Sequence, residues 1–322
     1  MEAWPANLRY DPFPALLASG DEALLYFVRR DLLEQEVGAR EDLWVLPEPT
    51  KILAKQQADG SWKYPSRRQH GFPGEDYAQL ETYRMLRVLV EQYAFDRGHP
   101  AVEHVAAYYF ARQTDEGDIR GIFGPEYASH YMAWILELLI KAGYQDEEPI
   151  ERGFRWFRGM RQDDGGWAWP IRTAGVRYED ALQDPDPTQP NRSKPFSHVL
   201  TGAVLRPYAC HPRHRGSEEA RRAATLLKSR FFKSDPYPDR RGIAYWTKFQ
   251  FPFWWPNILT ALDSLTLMGD HDLREGLDWF IDNQQEDGLW PGGYKDTGTP
   301  KSRRDRLWIG LAVCRVFKRL SG

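Results

Sequence analysis

Cysteine is almost missing from this chain of 322 residues, which holds two, Cys210 and Cys314. Two thiols supply no disulfide framework, so a packed core has to hold the fold. Long apolar runs are missing too. No stretch reaches the ~18 residues that cross a bilayer, which excludes a transmembrane helix. No cleavable signal peptide is expected at the start. An excess of one charge is the third absence: 43 Lys and Arg stand against 46 Asp and Glu for a net charge of −3. That balance argues against nucleic acid as the main partner, and a cytoplasmic protein is the expectation. What the chain does have is aromatic residues, 14% of the total with 13 tryptophans, which must fill the core or line a surface.

A short motif recurs. Arg161-Gln162-Asp163-Asp164-Gly165-Gly166-Trp167 has close copies in Gln57-Ala58-Asp59-Gly60-Ser61-Trp62 and Gln285-Glu286-Asp287-Gly288-Leu289-Trp290. Gln113-Thr114-Asp115-Glu116-Gly117 is a copy without the tryptophan, and Asp239 to Trp246 is a degenerate one. Each clear copy ends an apolar segment of helical period, so the motif is expected to be a helix stop: Gly takes the left-handed position and the indole folds over the turn. The glycines at 60, 117, 165 and 288 are separated by 57, 48 and 123 residues. A period of about 50 residues holds two helices and their loops.

Gln-x-x-Asp-Gly-x-Trp at this spacing resembles the Gln-Trp repeat of the terpenoid cyclase and protein prenyltransferase superfamily. The resemblance runs from residue 57 to 290. It implies an all-α fold, an α/α toroid in which inner and outer helices alternate around a central cavity. Helix-period segments supply about six such pairs: 13–19 with 21–34, 47–57 with 75–93, 100–113 with 126–142, 149–162 with 196–208, 217–232 with 255–268, and 272–285 with 302–320. Repeats that share one core allow a single domain over 1–322, with 1–14 as an N-terminal arm.

The loops divide into short inner-to-outer connections and long outer-to-inner ones at 59–74, 163–195, 233–254 and 287–301. Alternating helix direction places every long loop, and the N-terminus of every inner helix, at one end of such a ring. Long loops commonly carry function, and helix N-termini favour anions. Candidates near that mouth are Asp76, Glu81, Glu126 and His130 for acid–base work. Tyr77, Tyr131, His198, Trp254, Trp255, Asn257, Arg303, Arg304 and Trp308 are candidates for substrate binding. Each also has a plain structural alternative. Asp76 fits a helix-start charge, Glu81 an i,i+3 partner of Arg84, the histidines hydrogen-bonded packing, Lys301–Arg306 a solvated basic turn, and the 251–255 aromatics ordinary core.

Against the family patterns, two departures stand out. Asp-x-Asp-Asp, the acid of class II cyclases, has only Gln183-Asp184-Pro185-Asp186-Pro187-Thr188 as a counterpart, with two acids and helix-incompatible prolines. The Asp, Cys and His of the prenyltransferase zinc site have no match near the mouth. Cys210-His211-Pro212-Arg213-His214 resembles a ligand set but falls in a short connection, and a metal held by His70, His130 and His198 is the alternative at the mouth. No metal is assigned and the cofactor is unknown. Two function classes remain. One is a cyclase- or prenyltransferase-like protein holding an isoprenoid or other apolar ligand in an aromatic cavity. The other is a carbohydrate-active α/α barrel of the polysaccharide lyase or glycosidase kind, and a non-catalytic scaffold is a third reading.

Overall fold

The computed structural model describes residues 4–65, 75–293 and 298–321. Among them are fourteen α-helices and no strand, only four isolated antiparallel bridges. In chain order the helices are α1 (Phe13–Leu17) and α2 (Glu22–Phe27), then α3 (Pro47–Leu53) and α4 (Tyr77–Tyr93). Next come α5 (Pro100–Phe110), α6 (Ser129–Leu139) and α7 (Glu148–Gly159). Two short helices follow, α8 (Pro170–Ala174) and α9 (Tyr178–Ala181), before α10 (His198–Cys210). The last are α11 (Glu218–Lys228), α12 (Ile258–Leu267), α13 (Arg274–Asp282) and α14 (Pro300–Leu320).

All twelve expected helical segments are present. Six of their starts are set by side-chain caps rather than by the first apolar residue. Asp76 accepts the N–H groups of Ala78 and Gln79, so α4 begins at Tyr77. Asn257 and Thr260 form a capping box, which leaves Trp254 and Trp255 ahead of α12 instead of on its first turn. Glu126 likewise precedes α6. The helices α8 and α9 were not foreseen in the 163–195 loop, because four or five residues show no period.

Burial separates two kinds of helix. The sequence of α6, Ser-His-Tyr-Met-Ala-Trp-Ile-Leu-Glu-Leu-Leu, is apolar on every side, and ten of its eleven residues are buried. In α10 only Cys210 escapes burial. By contrast α7 is amphipathic and buries just Ile150, Gly153, Phe154, Trp156 and Phe157. The chain divides into two compact units, 40–226 and a discontinuous one of 1–39 with 227–322. Within 40–226, α6 packs between α4 and α10, while α3 and α5 lie on α4 and α7 on α6. Within the discontinuous unit, α14 packs on α12, α2 and α1.

The repeated motif is the joint of the fold. Trp62 Nε1 donates to Ile52 O (2.8 Å), Trp167 Nε1 to Phe157 O (2.8 Å) and Trp290 Nε1 to Phe280 O (2.7 Å), ten residues back each time. All three indoles are buried. In two of the copies the polar partner is the Gln one residue ahead of the segment quoted above, four before the glycine as in Gln-x-x-Asp-Gly-x-Trp. Gln56, not Gln57, donates to Gly60 O and to Ala101 O at the start of α5. Gln113 bonds Gly117 O and Pro149 O of α7, and Gln284 bonds Gly288 O and Tyr10 O ahead of α1. Arg161 takes the same place in its turn, donating to Gly165 O.

The glycine is required twice over. Gly60 has φ +88° and Gly288 φ +79°, and a Cβ would lie 2.4 Å from His104 O or 2.3 Å from Asp11 O. Both turns therefore touch the backbone of another segment. The degenerate copy keeps only its indole, with Trp246 Nε1 on Lys233 O (2.9 Å) and Arg240 at φ +53°. The expected N-terminal arm is tied down from Trp4 onward: Arg9 pairs with Asp282, and Tyr10 exchanges two hydrogen bonds with Gln284.

From this geometry Trp167→Ala is expected to cost about 3–5 kcal/mol, the range of buried Trp or Phe truncations. Gln56→Ala should cost about 1–3 kcal/mol by stranding two carbonyls, while Gln57→Ala, on an exposed side chain, stays within about 0.5 kcal/mol. Urea unfolding of the three variants checks this, and equal effects at 56 and 57 would refute the register.

Candidate functional site

In the unit 40–226, α4 is buried on most sides but leaves a stripe of Tyr77, Glu81, Arg84 and Val88 partly exposed. These residues follow at helical spacing and share one face. Aromatic rings gather around them. Tyr64 meets Tyr77 edge-on (centroids 5.2 Å), Phe123 meets Tyr131 (5.6 Å) and Tyr178 (5.9 Å), and Arg84 lies over the Tyr64 ring (5.5 Å). Arg84 also pairs with Glu81 at 3.3 Å. Glu75 accepts the Tyr178 hydroxyl at 2.7 Å and attracts that of Tyr77. Burial pushes the Tyr131 phenol up to about 12 and raises those of Tyr77 and Tyr178, so all three remain neutral donors at ordinary pH.

The tight turn Gly121–Glu126 presents Phe123, and it is fixed to the start of α4 by Asp76 N–H on Gly121 O (2.8 Å) and Gln79 Nε2 on Arg120 O (3.0 Å). The other wall comes from the long loop, whose α9 carries Tyr178. Beneath the rings the floor is polar and closed. Tyr83 is fully buried against Tyr131, and its hydroxyl accepts from Arg87 Nε at 2.8 Å.

Of the expected residues, Tyr77, Glu81 and Tyr131 belong to this half-buried aromatic cluster. Asp76 faces its own helix cap and lies 3.8 Å from Arg112. His130 is buried; its Nδ1 accepts from Trp169 Nε1 at 3.1 Å, although its ring touches Tyr131 (4.4 Å). Glu126 is buried beneath residues 183–190, holding Thr188 by two bonds. His198 is buried at the first position of α10, where Ser197 provides the cap. His70 lies outside the described residues.

In the discontinuous unit, Asn257 is the α12 cap. Arg304 pairs with Asp21 (2.9 Å), the cap of α2, and Trp308 Nε1 donates to the same carboxylate at 3.2 Å. Trp308 is buried and stacked on Phe251 (5.0 Å). Arg240 covers Trp255 at 4.9 Å, Trp254 is half-buried and Arg303 exposed. Arg304 and Trp308 thus brace α14 against α2, a tie that the reading of a solvated basic turn did not include.

Sequence reasoning missed the strongest electrostatic feature. Five charged side chains on α4, α6 with its continuation, and α10 form one network, buried at Arg87, Glu137 and Arg206, half-buried at Glu91 and open to solvent at Lys141. Arg87 binds Glu91 (2.9 Å) and Glu137 (3.0 Å), Arg206 binds Glu137 (3.0 Å), and Lys141 binds Glu91 (2.8 Å) and Glu137 (2.6 Å). The signal was present: Glu137 interrupts an otherwise apolar helix, and Arg87–Glu91 and Glu137–Lys141 are i,i+4 pairs. Burial alone would raise both carboxyls. The surrounding guanidinium and ammonium groups outweigh it and hold Glu91 and Glu137 below the usual range.

The Cys210–His214 stretch does gather ligand-type atoms, with Glu151, His211 and His214 within 4.8 Å of one another. His211 is committed elsewhere. Its Nδ1 accepts the Arg213 N–H (3.1 Å), so the neutral ring carries its proton on Nε2 and donates it to Gln145 O (2.9 Å). Burial lowers its pKa and keeps the ring neutral. Glu151 is occupied by Arg213 (2.9 Å) and His214 (3.1 Å). The cluster is a clasp between the end of α10 and α7.

The network makes stability pH-dependent. A depressed carboxyl stabilises the fold fully above its unfolded pKa, near 4.3 for Glu, and loses that contribution as pH falls toward its folded value. The urea midpoint is therefore expected to stay level from pH 8 to 6 and to fall below about pH 5. Glu137→Gln strands buried cations at a cost of about 3–5 kcal/mol. It should lower the midpoint at pH 7 and flatten the acid limb, and an unchanged acid limb would remove Glu137 from this role.

No family model matches the chain, and no curated protein matches it. Among solved structures, the crystal structure of a protein from Actinoplanes is similar at 16% identity, over 88% of this chain and 100% of that chain, with a TM-score of 0.32. No helix among the described residues is long and apolar enough to cross a membrane.

Proposed function

We propose that the chain is a single-domain α/α toroid of about six inner/outer helix pairs that binds a carbohydrate, at the cleft formed by α4, the 121–126 turn, α6 and α9. The toroid is supported by the repeat turns, which tie α3 to α5, α5 to α7 and α13 to the segment ahead of α1, with the glycine of the α7 turn against Arg222 of α11.

The carbohydrate reading rests on one observation. Four tyrosines and a phenylalanine, none fully buried, surround Glu75, Glu81 and Arg84 over a floor of Tyr83 and Arg87. Ring faces stack on the C–H faces of sugars, while neutral phenols, carboxylates and a guanidinium exchange hydrogen bonds with ring hydroxyls. An isoprenoid chain would need apolar wall and depth at the same place, and there the inner helices supply hydroxyls and ion pairs instead. Glu81 is the carboxylate on the cleft wall and the candidate for any acid–base step.

A glycan array followed by calorimetric titration tests the reading. Binding of an oligosaccharide is expected, weakened at least tenfold by Tyr131→Ala or Arg84→Ala, with melting temperatures within a few degrees of the parent for Arg84→Ala. Binding of farnesyl diphosphate without binding of any glycan would replace this reading by the isoprenoid one.

A further inference from the structure

The degenerate repeat turn carries an arginine where the other copies carry glycine. In those copies an acidic residue is followed by a glycine at φ between +79° and +106°: Gly60, Gly117, Gly165 and Gly288. Here Asp239 is followed by Arg240 at φ +53°, while Gly242 sits at φ −68°, a value any residue adopts. A left-handed backbone disfavours any side chain with a Cβ, and strain of this kind persists where the residue serves a purpose.

Two rings hold that side chain. The guanidinium carbon of Arg240 lies 4.4 Å from the centre of the Tyr245 ring and 4.9 Å from that of Trp255. Both rings stand on fixed supports. Tyr245 belongs to the short 3-10 turn Ile243–Thr247, which the buried Trp246 anchors on Lys233 O. The Trp255 carbonyl accepts from Asn257, the cap of α12. Of the three guanidinium nitrogens only Nε is buried, and it meets no acceptor. Nη1 and Nη2 therefore reach the surface, and no carboxylate among the described residues pairs with them. Lys248 Nζ lies 4.7 Å from the centre of the same Tyr245 ring, also with no carboxylate partner among the described residues.

A guanidinium fixed between two rings is pre-organised, and its Nη edge matches the paired oxygens of a carboxylate or a phosphate. We propose that Arg240 anchors a second binding site, in the discontinuous unit, for the carboxylate or phosphate of a ligand whose apolar body lies along Tyr245 and Trp255. Lys248 adds a second positive charge at the shared ring. This site is independent of the carbohydrate reading and stands or falls without it.

Nuclear magnetic resonance titration of the isotope-labelled full chain tests it, with benzoate and phenyl phosphate as probes and benzyl alcohol as the neutral control, all at one ionic strength. The indole N–H signal of Trp255, assigned by its loss in Trp255→Phe, reads binding. At least one anion is expected to shift it saturably, and which of the two does so identifies the group that is taken; benzyl alcohol should leave it in place. Arg240→Gly suits the left-handed backbone, so it is expected to melt at or above the parent temperature while weakening the same anion at least tenfold. Arg240→Lys, which keeps the charge without the fork, should weaken it at least threefold. No shift with either anion, an equal shift with benzyl alcohol, or parent-level affinity in either variant overturns the proposal. A melting temperature several degrees below the parent in Arg240→Gly makes the stacked arginine a brace for its turn, and overturns it as well.

Discussion

An indole N–H reaching a carbonyl ten residues back is the bond on which the architecture turns. It closes the last turn of the preceding helix, which would otherwise leave carbonyls unsatisfied, and buries a tryptophan over that end. The companion Gln amide then carries the connection onward, to backbone carbonyls of another segment. Each turn thus both stops one helix and seats another. A close backbone approach of this kind tolerates no Cβ, which is why glycine recurs at the same step.

The helices α4, α6 and α10 obey a different constraint. They pack against one another through apolar residues, yet Arg87, Glu137 and Arg206 are buried among these, with Glu91 and Lys141 at the edge of the same network. Charges in such a place persist only when every one is matched, and replacing the set by apolar residues of equal volume is often neutral or stabilising. Its presence sets a charged patch within a core that is otherwise apolar. The half-buried residues next to it are of the same polar kind: phenols, carboxylates and one guanidinium.

Much of the fold was legible because its signals are local. Caps, apolar period and the Gly-Trp turn placed twelve helices, and the burial of Trp62, Trp167 and Trp290 followed from the motif alone. The site was legible only in part. Tyr77, Glu81 and Tyr131 lie where helix phase puts them. Asp76 and Asn257 carry the same residue types but serve as caps, a distinction visible only once the neighbouring N–H groups are placed. Arg304 and Trp308 could not be resolved, because their partner Asp21 lies some 280 residues away in the chain. Tyr178 and Glu75 escaped notice for the same reason, being joined across 103 residues. Two of the quoted copies begin one residue late because Gln56-Gln57 and Gln284-Gln285 are doublets, and geometry shows that the first amide of each makes the turn's bonds.

The hold of Gln284 on Tyr10, across 274 residues, has a kinetic side. Residues 9–12 complete the turn that ends α13, so a segment made well before the intervening repeats serves a turn made after them. During synthesis that segment emerges with no partner and must stay uncommitted while the intervening repeats form around their own local turns. Closing so distant a contact is the slow, entropy-limited part of folding. The order of events is thereby written into the topology: repeats of 40–226 can organise as they appear, while the unit built from both chain ends waits for its second half. A chain arrested before residue 284 would expose α1 and its preceding strand of backbone as unpaired surface, the form in which a protein of this kind is most open to aggregation and to proteases.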